Sequence, residues 1–284
     1  MTTMLLEVNQ LHMRFGGVVA LHDVTFDVKW GSITALIGPN GAGKTTAFNC
    51  ITGFYKAQQG RLRLHPPNRP TVDLVQILGQ PFSGSDLLHP GRLWTALGYK
   101  MFGGPHLVCR AGIARTFQNV RLFKEMTVLE NLLVAQHAAL DRHFFSGLFN
   151  TATFRDHEAT ALNRANDLLD FFELSKEANR LAGHLSHGHQ RRVEIARAMC
   201  TGPILLCLDE PAAGLNPMET QALSGWIRRL QKEMNLTILL IEHDIGLVME
   251  LSDHIVVLNH GEVIARGTPA AIQQNSGVVE AYLG

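Results

Sequence analysis

The 284-residue chain is 46% hydrophobic and 18% charged, with 25 Lys+Arg against 25 Asp+Glu. This is the composition of a globular protein with room for one large or two modest domains. Formal neutrality argues against a generally cationic nucleic-acid surface, and no apolar run approaches the roughly 18 residues of a membrane-spanning helix.

Taken in chain order, Leu5–Val8 and Val24–Val28 read as strands, the second alternating apolar and polar residues. Phe15-Gly16-Gly17 between them is a turn carrying one aromatic, either a core phenylalanine or a face on which a base stacks. Glu7 and Asn9 interrupt the only early apolar stretch, so no secretory signal is expected. Ile33–Ile37 is an apolar strand. It runs into Gly38-Pro39-Asn40-Gly41-Ala42-Gly43-Lys44-Thr45-Thr46, which fits G-x-x-x-x-G-K-[ST], and a helix follows from Thr45 to Ile51. Strand, glycine loop and helix together make a phosphate cradle. Glycines let backbone N–H groups face the phosphate oxygens, and the new helix adds its positive end. Lys44 can reach the β/γ-phosphates, and the Thr45 hydroxyl can ligate Mg²⁺.

Gln59–Leu64 reads as a turn into a short strand. Residues 65–109 hold Pro66, Pro67, Pro70, Pro81, Pro90 and Pro105 and show no sustained period. They read as an insertion with local helix near 92–100. Trp94, Tyr99, Met101 and Phe102 cover the insertion's own small core or form a partner surface. Order returns over Ala114–Phe123. Thr127 and Glu130 have capping-box spacing ahead of a helix carrying Leu129, Leu132, Leu133 and Gln136. Residues 141–156 read as loop. Residues 158–174 read as an amphipathic helix with Leu162, Ala165, Leu168, Leu169 and Phe172 on one face.

Leu185-Ser186-His187-Gly188-His189-Gln190 opens a helix over Arg191–Met199. Ser186 stands at the N-cap, where its hydroxyl and the first free N–H groups form a second anion site. His184, His187 and His189 lack the spacing of a closed zinc set. Ile204–Leu208 is an apolar strand ending in Asp209-Glu210. Two carboxylates at the end of a buried strand are costly without a task, and such strand ends face the ligand crevice of open α/β sheets. Asp209 is expected to hold Mg²⁺ through its water shell and Glu210 to polarise an attacking water. Asn216-Pro217-Met218-Glu219 starts a helix whose buried face is Leu223, Trp226, Ile227 and Leu230. Leu236–Ile241 is a further strand, ending in Glu242-His243-Asp244, and His243 is placed to hydrogen-bond a γ-phosphate. A hairpin over 255–265 and a short helix capped by Thr268-Pro269 complete the chain. Cys50, Cys109, Cys200 and Cys207 show no C-x-x-C spacing and read as reduced, buried thiols of a cytosolic protein.

Gly38–Thr46, Gln118, Leu185–Gln190, Ile204–Glu210 and His243, in that order, resemble the nucleotide-binding domain of an ABC transporter. Phe15–Gly17, Phe48–Lys56, Arg115–Gln118 with Val120–Phe123, Asn131–Ala135, Pro211–Pro217 and Ala281–Gly284 are similar to LivG-type subunits of branched-chain amino-acid importers. The resemblance implies one α/β domain over residues 1–284. A P-loop NTPase core, RecA-like, would carry an antiparallel β subdomain, a helical subdomain over 119–184 and the 65–109 insertion. It implies ATP and Mg²⁺ as ligands. Gly38, Pro39, Asn40, Gly41, Ala42, Gly43, Lys44, Thr45 and Thr46 would bind phosphate, and Phe15 would stack on adenine. Glu210 would be the catalytic carboxylate, with Gln118 and His243 beside it, and Thr45, Gln118 and Asp209 would surround the metal. Ser186 and Gly188 would bind the γ-phosphate held by a second cassette, Ala212–Asn216 would occupy the D-loop and His243 the switch position. Implied partners are that second ATPase in a head-to-tail pair, transmembrane permease subunits and, indirectly, a periplasmic binding protein. The place would be the cytoplasmic face of the inner membrane, with no nucleic acid involved. His187 and His189 depart from the usual L-S-G-G-Q. A lipopolysaccharide-export ATPase, a non-transport ABC protein and a cassette that binds ATP only for assembly are the alternative readings.

Overall fold

The computed structural model describes residues 4–79, 104–140 and 152–283, without the side chains of 137–140, 152–157 and 283. The expected helix near 92–100 and its aromatic residues Trp94, Tyr99, Met101 and Phe102 lie outside the described residues.

Two sheets set the architecture. β1 (Met4–Phe15), β2 (Val18–Lys29), β4 (Gln59–Leu64) and β5 (Val72–Asp73) form an antiparallel sheet in the order β2-β1-β4-β5. The second sheet has the order β10-β9-β3-β8-β7-β6, built from β3 (Ile33–Ile37), β6 (Ile113–Arg115), β7 (Leu205–Asp209), β8 (Thr237–Ile241), β9 (His254–Asn259) and β10 (Glu262–Gly267). All its pairs are parallel except the β9–β10 hairpin at the edge.

The parallel strands are buried on both faces, which is why they read as unbroken apolar runs. Side-chain alternation splits β7 between two cores. Leu205 and Cys207 face the antiparallel sheet and α1 (Lys44–Ile51). Leu206 and Leu208 face the helical side. That side holds α4 (Val128–Leu140), α5 (Ala152–Phe171), α6 (His187–Met199) and α7 (Pro217–Met234). A third cluster joins Ala35, Ile37, Ile255 and Val257 to α8 (Ile245–Leu251), α9 (Pro269–Gln273) and α10 (Ser276–Leu283).

Local chemistry places the helix starts. Thr127 and Glu130 form the capping box: the Thr127 N–H donates to Glu130 Oε2 at 2.7 Å and the Glu130 N–H to Thr127 Oγ1 at 3.2 Å. Asn216 and Glu219 repeat it at α7.

Two expectations change, and the described ends of the 65–109 stretch carry elements that its lack of a sustained period did not reveal. β5 extends the antiparallel sheet, α2 (Leu74–Ile77) is capped by Asp73, and α3 (Pro105–Ala111) returns the chain to β6. Leu74, Val75, Leu78 and Val108 join the core shared by both sheets. Helix α5 begins at Ala152, inside the expected loop, and Leu162 is 40% exposed rather than on the buried face. Ala161 is buried in its place, because the apolar stripe is carried by Ala161, Ala165, Leu168, Leu169 and Phe172.

Candidate functional site

The carboxyl ends of four neighbouring strands, β6, β7, β8 and β3, deliver the chemistry to one edge of the sheet. Gly38–Gly43 follow β3, and the loop's shape depends on its glycines. Gly38, Gly41 and Gly43 have φ of +151°, +80° and +99°. A Cβ on Gly38 would lie 2.1 Å from the Leu258 carbonyl oxygen, and one on Gly43 2.7 Å from that of Ala20. Around Gly41 there is open space. Gly43 caps α1, whose first turn holds no acidic residue to spoil an anion site. The Lys44 ammonium folds into the loop, donating to the Gly38 carbonyl at 2.6 Å and that of Pro39 at 3.0 Å. Burial holds the Lys44 ammonium below its usual range, against the pull of the Glu210 carboxylate. Thr45 is exposed on the rim.

Glu210 follows β7 with φ +46°, in the left-handed region that is costly for a residue with a Cβ. Its N–H donates to the Ile241 carbonyl at 2.9 Å, so the turn is tied to β8. The carboxylate lies between two residues from neighbouring strand ends. Gln118 Nε2 donates to Oε2 at 2.6 Å, and His243 Nε2 lies 2.7 Å from Oε1. Glu210 is mostly buried, while His243 is about half exposed at 47%. Asp209 is buried and pairs with Arg115, Nη2 to Oδ2 at 2.7 Å.

Sequence reasoning missed two buried carboxylates that frame this group. Glu242 accepts the Ala212 N–H at 2.7 Å through Oε1 and the His243 N–H at 3.1 Å through Oε2. It thereby fixes the turn after Glu210 against the one that carries His243. Glu194 on α6 pairs with Arg191 at 2.7 Å, both almost fully buried. Arg191 donates to the carbonyls of Phe117 and Gln118, each at 2.8 Å. Glu194 Oε1 accepts the N–H groups of Phe117 and Arg121 at 3.2 and 3.4 Å. Two charges at i and i+3 on the apolar side of a helix were the available signal.

The structure brings the phosphate loop, Asp209, Glu210, Gln118 and His243 to one edge. It leaves Ser186 and Gly188 elsewhere: among the described residues no hydrogen bond links either to that group. Ser186 caps α6, its Oγ accepting the His189 N–H at 3.4 Å and lying 2.7 Å from His189 Nδ1. A Cβ on Gly188 would meet Glu219 Oε1 at 2.8 Å. His187 Nε2 lies 3.3 Å from the Ala213 carbonyl, so this departure is spent on a contact within the chain. Phe15 ends β1 and packs edge-on against Tyr55 at 5.2 Å, with 43% of its surface exposed.

The donor set suits a hard divalent cation beside a triphosphate. Thr45 Oγ1 and the amide oxygen of Gln118 are neutral oxygens, and Asp209 keeps Oδ1 without a hydrogen bond among the described residues. No group of three or more His, Cys, Asp or Glu is arranged among the described residues as a metal site.

A loop of this shape on a parallel sheet, with carboxylate, glutamine and histidine at adjoining strand ends, defines a P-loop ATPase cassette. Residues 21–213 match the family described as ABC transporter, and residues 262–284 match that described as branched-chain amino acid ATP-binding cassette transporter. The chain is 49% identical to the high-affinity branched-chain amino acid transport ATP-binding protein BraF of Pseudomonas aeruginosa, over 100% of this chain and 99% of that one. It is 48% identical to LivG of Escherichia coli K12, described in the same words, over the same shares. A crystal structure of an ATP-binding cassette of an ABC transporter in its ADP conformation superposes with a TM-score of 0.76 at 31% identity, covering 100% of both chains. The chain belongs to the ABC transporter family of ATP-binding cassettes, in the branch of the branched-chain amino acid transport ATP-binding proteins. No helix among the described residues is long and apolar enough to cross a membrane.

Proposed function

We propose that this chain hydrolyses ATP to ADP and phosphate to drive an importer of branched-chain amino acids. It does so as a head-to-tail pair with a second cassette, itself or a paralogue. The pair sits beneath permease subunits on the cytoplasmic face of the inner membrane, and a periplasmic binding protein supplies the cargo. The observation that carries this reading is the Glu210 carboxylate held between Gln118 and His243 at the edge where the phosphate loop opens. The names of the full-length relatives support the choice of cargo over lipopolysaccharide export or a non-transport role.

The glycine loop binds the phosphates through its N–H groups and the α1 N-terminus, and Phe15 offers a ring to adenine. Lys44 exchanges its two carbonyl partners for β/γ-phosphate oxygens. Thr45, Asp209 and Gln118 would hold Mg²⁺, which when bound offsets phosphate charge and polarises the γ-phosphoryl group. Glu210 aligns the attacking water and takes its proton, and His243 exchanges its bond to that carboxylate for one to the γ-phosphate. Ser186 and Gly188 present the α6 N-terminus to the nucleotide of the opposite cassette. The γ-phosphate therefore favours the closed pair, and its loss on hydrolysis lets the pair open. The Arg191–Glu194 clamp passes that change from α6 to Gln118 and the adjoining helices, where a permease would dock.

Glu210→Gln tests the chemistry. Nucleotide affinity should stay within a factor of about three, while turnover falls about 10²–10⁴-fold, the usual weight of a general base. Unchanged hydrolysis removes Glu210 from that role. Cargo is tested by uptake of labelled leucine, isoleucine and valine in cells lacking the chain; undiminished uptake rules out this transport function.

A further inference from the structure

Arg115 is the one cation bonded directly to the expected metal-binding carboxylate among the described residues. It ends β6, three positions before Gln118, and its side chain is only 10% exposed. Nη2 donates to Asp209 Oδ2 at 2.7 Å. Nη1 donates to Asn49 Oδ1 at 2.5 Å and Thr52 Oγ1 at 3.0 Å, the first on the helix that leaves the phosphate loop and the second at its C-cap. The rings of Phe48, Phe54 and Phe117 surround its Cζ at 4.9, 4.8 and 5.2 Å. Nε is buried without a hydrogen-bond partner. A guanidinium this enclosed, with one donor unpaired, is expensive unless its charge is required. Among the described residues its negative partner is Asp209 alone, engaged through one oxygen.

We propose that Arg115 is a positioning residue for the magnesium site, the resident counter-cation of Asp209. It keeps that carboxylate compensated and aimed when no metal is bound, and it sets the magnesium concentration at which nucleotide is held. The inference rests on the nucleotide-binding reading above. The physical reason is direct. Asp209 in this low-dielectric strand end requires a positive neighbour, and Arg115 supplies it permanently. An incoming divalent cation meets a carboxylate already half neutralised, and its affinity is moderated accordingly.

The test measures binding, not turnover. ATP affinity of the purified chain is titrated by calorimetry from EDTA to millimolar Mg²⁺, for the wild type and for Arg115→Met, Arg115→Gln and Arg115→Lys. One unit of positive charge removed from a few ångström away is worth at least about tenfold in cation affinity at a protein-like dielectric. The Met and Gln variants should therefore reach half-saturation at about tenfold less Mg²⁺, while Lys stays within about threefold of wild type. Thermal melting adds a second readout. The neutral variants should lose stability in EDTA and recover most of the difference with Mg²⁺ and ATP. Gln carries the test if Met fails to fold. A magnesium requirement unchanged or raised in the neutral variants overturns the assignment of Arg115. A wild type that binds ATP with no magnesium dependence overturns the metal-site reading instead.

Discussion

Replacing Glu194 by alanine tests the link between α6 and the glutamine loop. The carboxylate is 2% exposed and accepts three bonds: Arg191 Nη1 at 2.7 Å and the N–H groups of Phe117 and Arg121 at 3.2 and 3.4 Å. The partner guanidinium is 1% exposed and retains only backbone carbonyls if the carboxylate goes. Breaking a buried ion pair by removing one member typically costs about 3–5 kcal/mol, most of it the charge left behind. Set against a typical total stability of roughly 5–15 kcal/mol, that is a large share. At about 2–4 °C per kcal/mol for a domain of this order of size, the melting midpoint should fall by roughly 6–20 °C.

The double variant Arg191→Met, Glu194→Leu separates charge burial from loop anchoring. It removes both charges, and an apolar replacement of a buried pair is often neutral or better. Its midpoint should lie well above that of Glu194→Ala. Its ATPase rate should remain depressed, because Phe117 and Gln118 have lost the groups that hold their carbonyls. Midpoints are read by circular dichroism, and loop anchoring by hydrogen exchange at the Phe117 and Arg121 amides. A single variant within about 1 kcal/mol of wild type would mean the pair is not desolvated as described. Full ATPase activity in the double variant would refute the anchoring role.

The remaining predictions concern the loop, the thiols and one histidine. Gly41→Ala should cost only the roughly 1–2 kcal/mol of a left-handed residue with a Cβ, since nothing lies nearby, whereas Gly38→Ala must move the Leu258 carbonyl and should cost clearly more. Urea midpoints compare them, and equal costs would show that the loop yields. Burial pushes the Cys50 and Cys200 thiols up to about 12 and raises Cys207 as well, so native protein treated with a disulfide reagent at pH 8 should label Cys109 first. Mass spectrometry of the digest reads the order; rapid labelling of Cys207 would contradict its place in the central sheet. Burial, then Arg192, lower the His189 pKa from 6.5, with Arg180 adding to the shift and Glu177 and Glu219 opposing it. The unfolded chain then binds more protons than the native one just below pH 6.5, so this residue's share of stability is lost as pH falls through that window. His189→Gln should lose less stability than wild type between pH 7.5 and 5.5.

Much of the site was legible because its chemistry is local in sequence. The glycine loop, the capped starts of α6 and α7, and the apolar strands ending in carboxylates follow from adjacent residues. The missed parts are non-local. Glu242 gains its place from an Ala212 amide thirty residues earlier, and Arg115 gains its own from partners on α1 and β7. The i, i+3 spacing of Arg191 and Glu194 marks a candidate pair, but that the Phe117–Arg121 loop covers that helix face and buries both is set by the tertiary fold. The Leu162 error has a different origin. Both 161 and 162 stand at helical spacing from Ala165, and the structure turns Ala161 inward toward α4, where Gln136 Nε2 donates to its carbonyl at 2.9 Å.

The arrangement of negative charge supports the proposal that Glu210, rather than its neighbours, serves the reacting water. Four carboxylates converge near one loop, and each is satisfied differently. Asp209 has an enclosed guanidinium, Glu194 an almost fully buried ion pair, and Glu242 two backbone amides with its pKa raised by burial. These partners are fixed by the fold, and displacing one leaves a buried charge or amide unpaired. Glu210 alone is bound by two side chains that reach solvent, an exposed glutamine and a half-exposed histidine. Releasing either costs little, because water replaces it. A base must exchange partners during each turnover, so the replaceable pair belongs on the residue that takes the proton and the permanent pairs on those that hold it in place.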